Sequence, residues 1–271
     1  MSNSFKNKVI IISGGAKGIG KSLAYLLGGQ QAKLVINGRN KADLLATNKE
    51  LTDQGIDIID VAGDITLEVD CQNLVNATIR HYGRIDILVN NAGVSMRGRF
   101  EELSPEVIST VFNVNTLGAI RLTRIALPHI KQTKGSIVFI SSLAGLRGLP
   151  QLSIYSAAKM ALTAIAEAMW VEHKSDRIHI GLVHLGYTEI DPGKTVIGPS
   201  GMPIQLEERK GFLMMTKEQA AQKIAKSISA RKRRTIVGWS GKAYYFLLRF
   251  LPGISELIVS NSYKKMKKAF E

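Results

Sequence analysis

Between Ser142 and Lys159 the chain reads S-L-A-G-L-R-G-L-P-Q-L-S-I-Y-S-A-A-K, with a Tyr thirteen residues after the Ser and a Lys four residues after the Tyr. The residues after Tyr155 have the Ala, Leu and Met content of a good helix. Positions four apart on a helix share a face, so Tyr155 and Lys159 project together. A phenol is a poor acid at neutral pH, with a reference pKa of about 10. A neighbouring ammonium favours the phenolate and lowers that pKa. A Tyr tuned in this way can exchange a proton with a substrate oxygen, and a Ser hydroxyl can hydrogen-bond the same oxygen. Taken alone, Y-x-x-x-K also fits a surface Tyr and Lys on an ordinary helix, so the elements around it must decide.

Those elements alternate. Lys8 to Ser13 is a β-branched run long enough for a buried strand. It leads into S-G-G-A-K-G-I-G (Ser13 to Gly20) and a helical K-S-L-A-Y-L-L-G-G. Strand, glycine turn and helix is a phosphate-binding arrangement, because glycines admit the phosphate to the backbone and the helix N-terminus presents free N–H groups. The spacing is G-x-x-x-G-x-G rather than G-x-G-x-x-G. Strands are expected at Lys33 to Asn37, Ile56 to Val61, Ile85 to Val89, Ser136 to Ile140, Ile178 to His184 and Thr235 to Trp239. Helices are expected at Lys41 to Asp53, Thr66 to Tyr82, Pro105 to Ile130, after Tyr155, and at Thr216 to Arg231 with Thr216 as N-cap. Repeated βα units predict an α/β fold: a doubly wound, Rossmann-type parallel sheet of about seven strands with helices on both faces. Ligands of such sheets bind beyond the carboxyl ends of the strands. Gly14 to Gly20, Asp64, Asn90 to Gly93, Ser142 and Gly186 all fall just after strands, and this places them in one site. Tyr187 to Met215, rich in Gly and Pro and without a clear period, reads as a lid or loop over it.

Composition narrows the classes. The chain has 271 residues, 45% of them hydrophobic and 21% charged, which is globular rather than disordered. The single cysteine, Cys71, allows no disulfide within the chain and suits a reducing compartment. The N-terminal M-S-N-S-F-K-N-K lacks the apolar stretch and cleavage site of a signal peptide. The expected location is cytoplasmic. The formal net charge of +14 is concentrated late: fifteen Lys/Arg face five Asp/Glu from Leu206 onward. The five histidines have no partners at ligand spacing and no H-E-x-x-H, so no metal is expected.

In combination, S-G-G-A-K-G-I-G, N-N-A-G (Asn90 to Gly93), N-V-N, Ser142 and Y-S-A-A-K resemble the short-chain dehydrogenase/reductase family in order and spacing, from about Phe5 to Trp239. The resemblance implies Tyr155 as general acid/base and Lys159 as the cation that lowers its pKa and holds the nicotinamide ribose. It implies Ser142 as the group that polarises the substrate oxygen and Asn115 as the anchor of a water linking Lys159 to solvent. Gly14, Lys17, Gly18, Ile19 and Gly20 would bind the cofactor phosphates. Asn90, Ala92 and Gly93 would line the adenosine side, Asp64 and Ile65 the adenine ring, and Gly186 and Thr188 the nicotinamide end. The chain departs from the family after the sixth strand. L-G-Y-T-E-I stands where P-G-x-x-x-T is usual, which puts Ile190 at the usual Thr and leaves Thr188 as its substitute. A dimer or tetramer is also implied.

NAD sites place a carboxylate about twenty residues beyond the turn to hold the ribose 2′-OH. That region here is I-N-G-R-N, with Arg39 and no acid, and Lys17 adds a cation in the turn. NADP(H) is therefore expected over NAD(H). The chain divides into a cofactor-binding domain (1–240) and a basic, amphipathic extension (241–271). The apolar part of the extension is interrupted by Arg249, Pro252 and Glu256 and is too short to span a bilayer. It suits a helix lying on an anionic membrane surface with the Lys264, Lys265, Lys267 and Lys268 cluster beside it, and equally an aromatic segment packed over the cleft or a partner subunit. No nucleic-acid module is recognisable. The expected activity is interconversion of a ketone and a secondary alcohol, on a small substrate that is hydrophobic or lipid-like. A non-catalytic nucleotide-binding or membrane-surface scaffold is the alternative.

Overall fold

The apolar β-branched runs form strands that bury both faces. Val9 to Ser13 is buried along its whole length, with Ile10 and Ile12 facing one helical layer and Ile11 the other, as strand alternation requires. The computed structural model describes residues 4–206 and 214–270. A seven-stranded parallel sheet contains β1 (Val9–Ser13), β2 (Lys33–Gly38), β3 (Ile58–Ala62), β4 (Ile87–Asn90), β5 (Ser136–Ser142), β6 (His179–Leu185) and, beyond the short strands β7 (Thr195–Ile197) and β8 (Pro203–Gln205), β9 (Arg234–Ile236). Its order is β3-β2-β1-β4-β5-β6-β9. The order reverses between β1 and β4, which opens a crevice at the carboxyl ends of those strands.

Helices α1 (Gly18–Gly28) and α2 (Lys41–Thr52) cover one face together with α7 (Lys217–Ser229). Leu23, Leu27, Leu44, Leu51 and Ile224 enter that core. The other face is covered by α3 (Glu68–Tyr82), α5 (Ala119–Thr133) and α6 (Ser153–Glu172), through Leu74, Leu122, Ile130 and Leu162. Thr216 caps α7 in a capping box with Gln219. A third, smaller core joins α4 (Pro105–Phe112) to α6 through Val107, Val111, Ile154 and Ala158.

Three elements differ from the sequence reading. The strand expected at Thr235 to Trp239 ends at Ile236, and Trp239 instead begins a helix after Gly238, whose φ of +88° breaks the extended run. The single helix expected from Pro105 to Ile130 is interrupted by a π-helical turn, Asn113–Gly118. The wider turn inserts a residue, as π-bulges do, and this lets the Asn115 side chain reach the loop after β4. The stretch Tyr187 to Met215, expected to be irregular, holds the antiparallel β7–β8 hairpin. It is tied across the crevice where Ile197 donates to the Ser95 carbonyl at 3.0 Å and accepts from Arg97 N at 2.9 Å. Residues 207–213 of that stretch lie outside the described residues.

The extension forms α8 (Trp239–Phe250) and α9 (Pro252–Phe270). Gly241 sits where a Cβ would come within 3.0 Å of Leu143 Cδ2 and 3.2 Å of Ile236 Cγ2, so α8 lies directly on the end of the sheet. Arg147 donates to Ser255 Oγ at 2.8 Å and pairs with Glu256, fastening α9 to the segment after β5. Among the described residues no helix is long and apolar enough to cross a membrane.

Candidate active site

The glycine turn after β1 is built by contacts that only glycine allows. Gly14 has φ +65°, and a Cβ on it would lie 2.9 Å from Ala92 Cα; one on Gly20 would lie 2.2 Å from the Gly14 carbonyl oxygen. Ser13 supplies the second tie. Its hydroxyl accepts from Asn91 N and Ala92 N, both at 3.1 Å, and the Asn91 amide donates to the carbonyls of Ser13 and Gly14 at 3.0 Å. The loops after β1 and β4 thus form one rigid shelf. The N-cap of α1, Lys17, has no side-chain cap and the first turn has no acid, so the first N–H groups of α1 face the crevice without an acidic side chain of their own.

At the far end of the crevice, α6 places Lys159 under the sheet edge. The side chain is only 5% exposed, and its ammonium donates to the Ile140 carbonyl at 3.0 Å. It lies 5.9 Å from the Tyr155 ring centroid, as helical spacing requires. The helix is held by two hydroxyls: Thr116 Oγ1 donates to the Ala158 carbonyl at 2.9 Å and Ser141 Oγ to the Lys159 carbonyl at 3.3 Å. A Cβ on Gly93 would fall 2.6 Å from Asn115 Oδ1 and 3.3 Å from Lys159 Nζ, so glycine alone leaves space between them. Asn115 donates to the Val94 and Val111 carbonyls (2.8 and 2.9 Å) and accepts from Val94 N at 3.2 Å. Its side chain therefore holds the loop after β4 against the π turn. Ser142 Oγ accepts from Ala144 N at 3.2 Å, which leaves its O–H to donate into the cleft.

Gly14, Lys17, Gly18, Ile19, Gly20, Arg39, Ala92, Gly93, Asn115, Ser142, Tyr155, Lys159, Gly186 and Thr188 line one cleft of about 940 Å³. Asp64 and Ile65 line an adjoining cavity of about 720 Å³ that shares Gly14, Lys17, Arg39, Ala92 and Gly93 with it. Asn90 is different: its amide donates to Thr123 Oγ1 at 2.9 Å, behind the sheet, and Asn91 lines the cleft in its place. The adjoining cavity is also less one-sided in charge than the I-N-G-R-N stretch. Lys17 Nζ is 2.7 Å from Asp43 of α2, and Arg39 Nη1 is 3.8 Å from Asp64. Both carboxylates come from other elements, which the local stretch could not show.

Several contributors carry no local signal. Ser141, Thr116 and Gly145 act on α6 through contacts distant in sequence; a Cβ on Gly145 would lie 2.4 Å from Ser141 Oγ. His184 is fully buried with Nδ1 3.1 Å from the Ser142 carbonyl, and burial pushes its pKa down to about 4, so the ring is neutral at pH 7. The nearest sequence clue is position: each lies within three residues of a motif residue.

The fit to a dinucleotide is good on these observations. The glycine shelf admits phosphate to the α1 N-terminus. Lys159 lines the cleft and keeps two ammonium hydrogens beyond its bond to Ile140, enough for the hydroxyls of a ribose.

Burial also pushes the Lys159 pKa down, from 10.5 to about 8. The group is still cationic at pH 7 and its desolvation costs stability. Because the folded pKa lies below the unfolded one, that cost is fully present below pH 8 and fades as pH rises to 10.5. Lys159→Met is therefore expected to leave Tm unchanged or raised at pH 7, with the difference shrinking toward pH 10, while turnover falls by at least ~10²-fold. Thermal melts across that pH range check this; a lower Tm at pH 7 would mean that the ammonium stabilises the apo fold.

Comparison with known proteins places the chain. A family model described as short chain dehydrogenase matches residues 8–196. The 11-beta-hydroxysteroid dehydrogenase-like 4A of Arabidopsis thaliana is 33% identical over 223 residues, covering 82% of this chain and 72% of that protein. The 11-beta-hydroxysteroid dehydrogenase A of Sesamum indicum is 30% identical over 268 residues, 95% of this chain and 76% of its own. Among solved structures, a short chain dehydrogenase/reductase from Burkholderia phymatum in complex with NAD shares the fold with a TM-score of 0.80 at 22% identity, covering 90% of this chain and 93% of that one. The glycine shelf, the crevice at the sheet reversal and these matches lead to one conclusion: the chain belongs to the short-chain dehydrogenase/reductase family of oxidoreductases, which act between CH–OH and C=O groups with a nicotinamide cofactor.

Proposed function

We propose that the protein reduces a hydrophobic ketone to a secondary alcohol with NADPH, and runs the reverse reaction with NADP⁺. The observation that carries this reading is the buried Lys159 ammonium beside the Tyr155 ring, with Ser142 at the end of the neighbouring strand, all lining one cleft. The bound cofactor supplies the hydride. Ser142 donates a hydrogen bond to the substrate oxygen and fixes the carbonyl, Tyr155 delivers the proton to that oxygen, and the Lys159 cation stabilises the phenolate left behind. Leu143, Leu149, Leu152 and Val196 give the substrate side an apolar wall. The relatives' names, which refer to hydroxysteroids, support a hydrophobic substrate class. Arg39 at the carboxyl end of β2, where an NAD site would place an acid, supports NADP(H).

The extension supports a membrane-surface partner. Trp239, Phe246, Phe250, Ile254 and Leu257 on α8 and α9, and Leu251 between them, are exposed, with the tilted rings of Phe246 and Phe250 4.8 Å apart. The same helices carry Lys242, Arg249 and Lys264, exposed; the side chains of Lys265, Lys267 and Lys268 lie outside the described residues. Apolar area beside positive charge suits an anionic lipid surface.

Three outcomes are expected. Tyr155→Phe removes the transferable proton and keeps the ring; turnover in an NADPH-oxidation assay over a panel of ketones should fall by ~10²–10⁴-fold with NADPH affinity little changed. Cofactor binding by the wild type without turnover on any of them would instead favour a scaffold. Arg39→Asp should weaken NADPH and spare NADH, as measured by kcat/KM for each; a wild type that uses NADH as well as NADPH would remove the NADP(H) assignment. The full chain should co-sediment with anionic vesicles, less so at high salt, and Phe246→Ser with Phe250→Ser should abolish it; equal sedimentation of both proteins would remove the membrane partner.

A further inference from the structure

The described part of the segment that leaves β6 borders the cleft, with Tyr187 to Ile197 in its lining. Its base is a backbone bridge: Met215 N donates to the Tyr187 carbonyl at 3.0 Å and Glu189 N to the Met215 carbonyl at 2.9 Å. Two residues on, Lys217 opens α7, and its backbone N–H donates to Glu189 Oε1 at 3.1 Å. Its side chain turns back into the cleft and meets Asp191 there, Nζ to Oδ1 at 2.5 Å. The other oxygen of Asp191 faces the glycine turn: a Cβ on Gly18 would lie 3.6 Å from Oδ2. Gly18 is the first residue of α1, the helix whose N-terminus has neither a side-chain cap nor an acid in its first turn. The chain thus sets one of its own carboxylates, with a lysine attached, beside the anion-attracting end of α1.

We propose that Lys217 is a phosphate-binding residue for the cofactor and that Asp191 holds it in reserve, the pair forming a latch that cofactor entry opens. This rests on the reading of the cleft as a dinucleotide site. A pyrophosphate brings negative charge to the place where Asp191 Oδ2 stands, so the carboxylate is repelled and Lys217 loses its partner as a new anion arrives. The exchange is easy because the pair is weak. Its side chains are 24% and 39% exposed, and ion pairs that solvated contribute little. Contact of an ammonium with phosphate is charge-assisted and stronger than a neutral hydrogen bond. The hydrogen bond to Asp191 raises the Lys217 pKa, so the side chain is cationic before the exchange. Asp191 precedes β7, and Ile197 at the end of β7 bonds to Ser95 and Arg97 on the opposite wall. Release of Asp191 therefore removes the side-chain tie between α7 and the segment that borders the substrate side, while the backbone bridge at its base stays in place.

A clamp that only fixes the segment makes a different prediction from a latch. Removing either half of a clamp harms binding in the same direction; removing the halves of a latch acts in opposite directions. Calorimetric titration of the full-length wild type, Asp191→Asn and Lys217→Met with NADPH, ADP-ribose and adenosine 2′-monophosphate separates them, with thermal melts to verify folding. For the two ligands that carry a pyrophosphate, Asp191→Asn should tighten binding by about 3- to 10-fold and Lys217→Met should weaken it by about 10-fold, the scale of one charge-assisted hydrogen bond. Adenosine 2′-monophosphate, which lacks the pyrophosphate, should bind all three proteins alike. Changes of the same sign in both variants, or equal changes with the monophosphate, would overturn the latch while leaving the dinucleotide site intact. Failure of the wild type to bind NADPH, NADH or ADP-ribose would overturn both.

Discussion

The buried ammonium of Lys159 is the constraint around which the site is built. A cation removed from water needs partners, and the protein supplies one carbonyl, that of Ile140, at 3.0 Å. Every neighbouring feature serves to keep that position open and exact. Gly93 leaves the space between Asn115 and the ammonium, Gly145 lets α6 approach Ser141, and Thr116 and Ser141 fasten the helix by its carbonyls. The desolvated lysine has a pKa brought down to about 8. Such a group is poised near neutrality, as acid–base sites require. The sheet core on both sides bears the cost, which is why a local arrangement that disfavours folding can persist.

The same economy of backbone appears at the other end of the crevice. The turn after β1 and the loop after β4 belong to separate βα units, yet the Ser13 hydroxyl and the Asn91 amide knit them into one surface. These four bonds fix the two loops relative to each other at the reversal in strand order, where ligands of such sheets bind. Opposite this shelf runs the segment from Tyr187 onward, which is secured at its base by backbone bonds to Met215, across the cleft by β7, and beside the glycine turn by the half-buried pair of Asp191 and Lys217. The extension supports the cleft from behind, since Gly241 rests on Leu143, one residue beyond Ser142.

Much of this was legible in the residues. Periodicity and the placement of glycines determined the order of strands and helices, since β-branched runs and Ala-rich helices carry their own local preference. The Tyr155 and Lys159 spacing determined a shared face, and the glycine turn determined a helix end that borders the cleft, because both depend on contacts within a few residues. The tertiary structure decided what depends on distant partners. Asn90 and Asn91 differ by one position, and strand alternation turns the first toward Thr123 and the second into the cleft. The charge of the adjoining cavity depends on more than I-N-G-R-N, because Asp43 and Asp64 pair with Lys17 and Arg39 from other elements. The π turn at Asn113–Gly118 broke an expected continuous helix, because the pull of Val94 and Val111 on Asn115 outweighs regular helical geometry. Sequence alone therefore determined the order of the elements and the family to which the motifs belong, since those signals are local. Only the folded chain decided which side chains face one another, since that follows from packing between elements far apart in sequence.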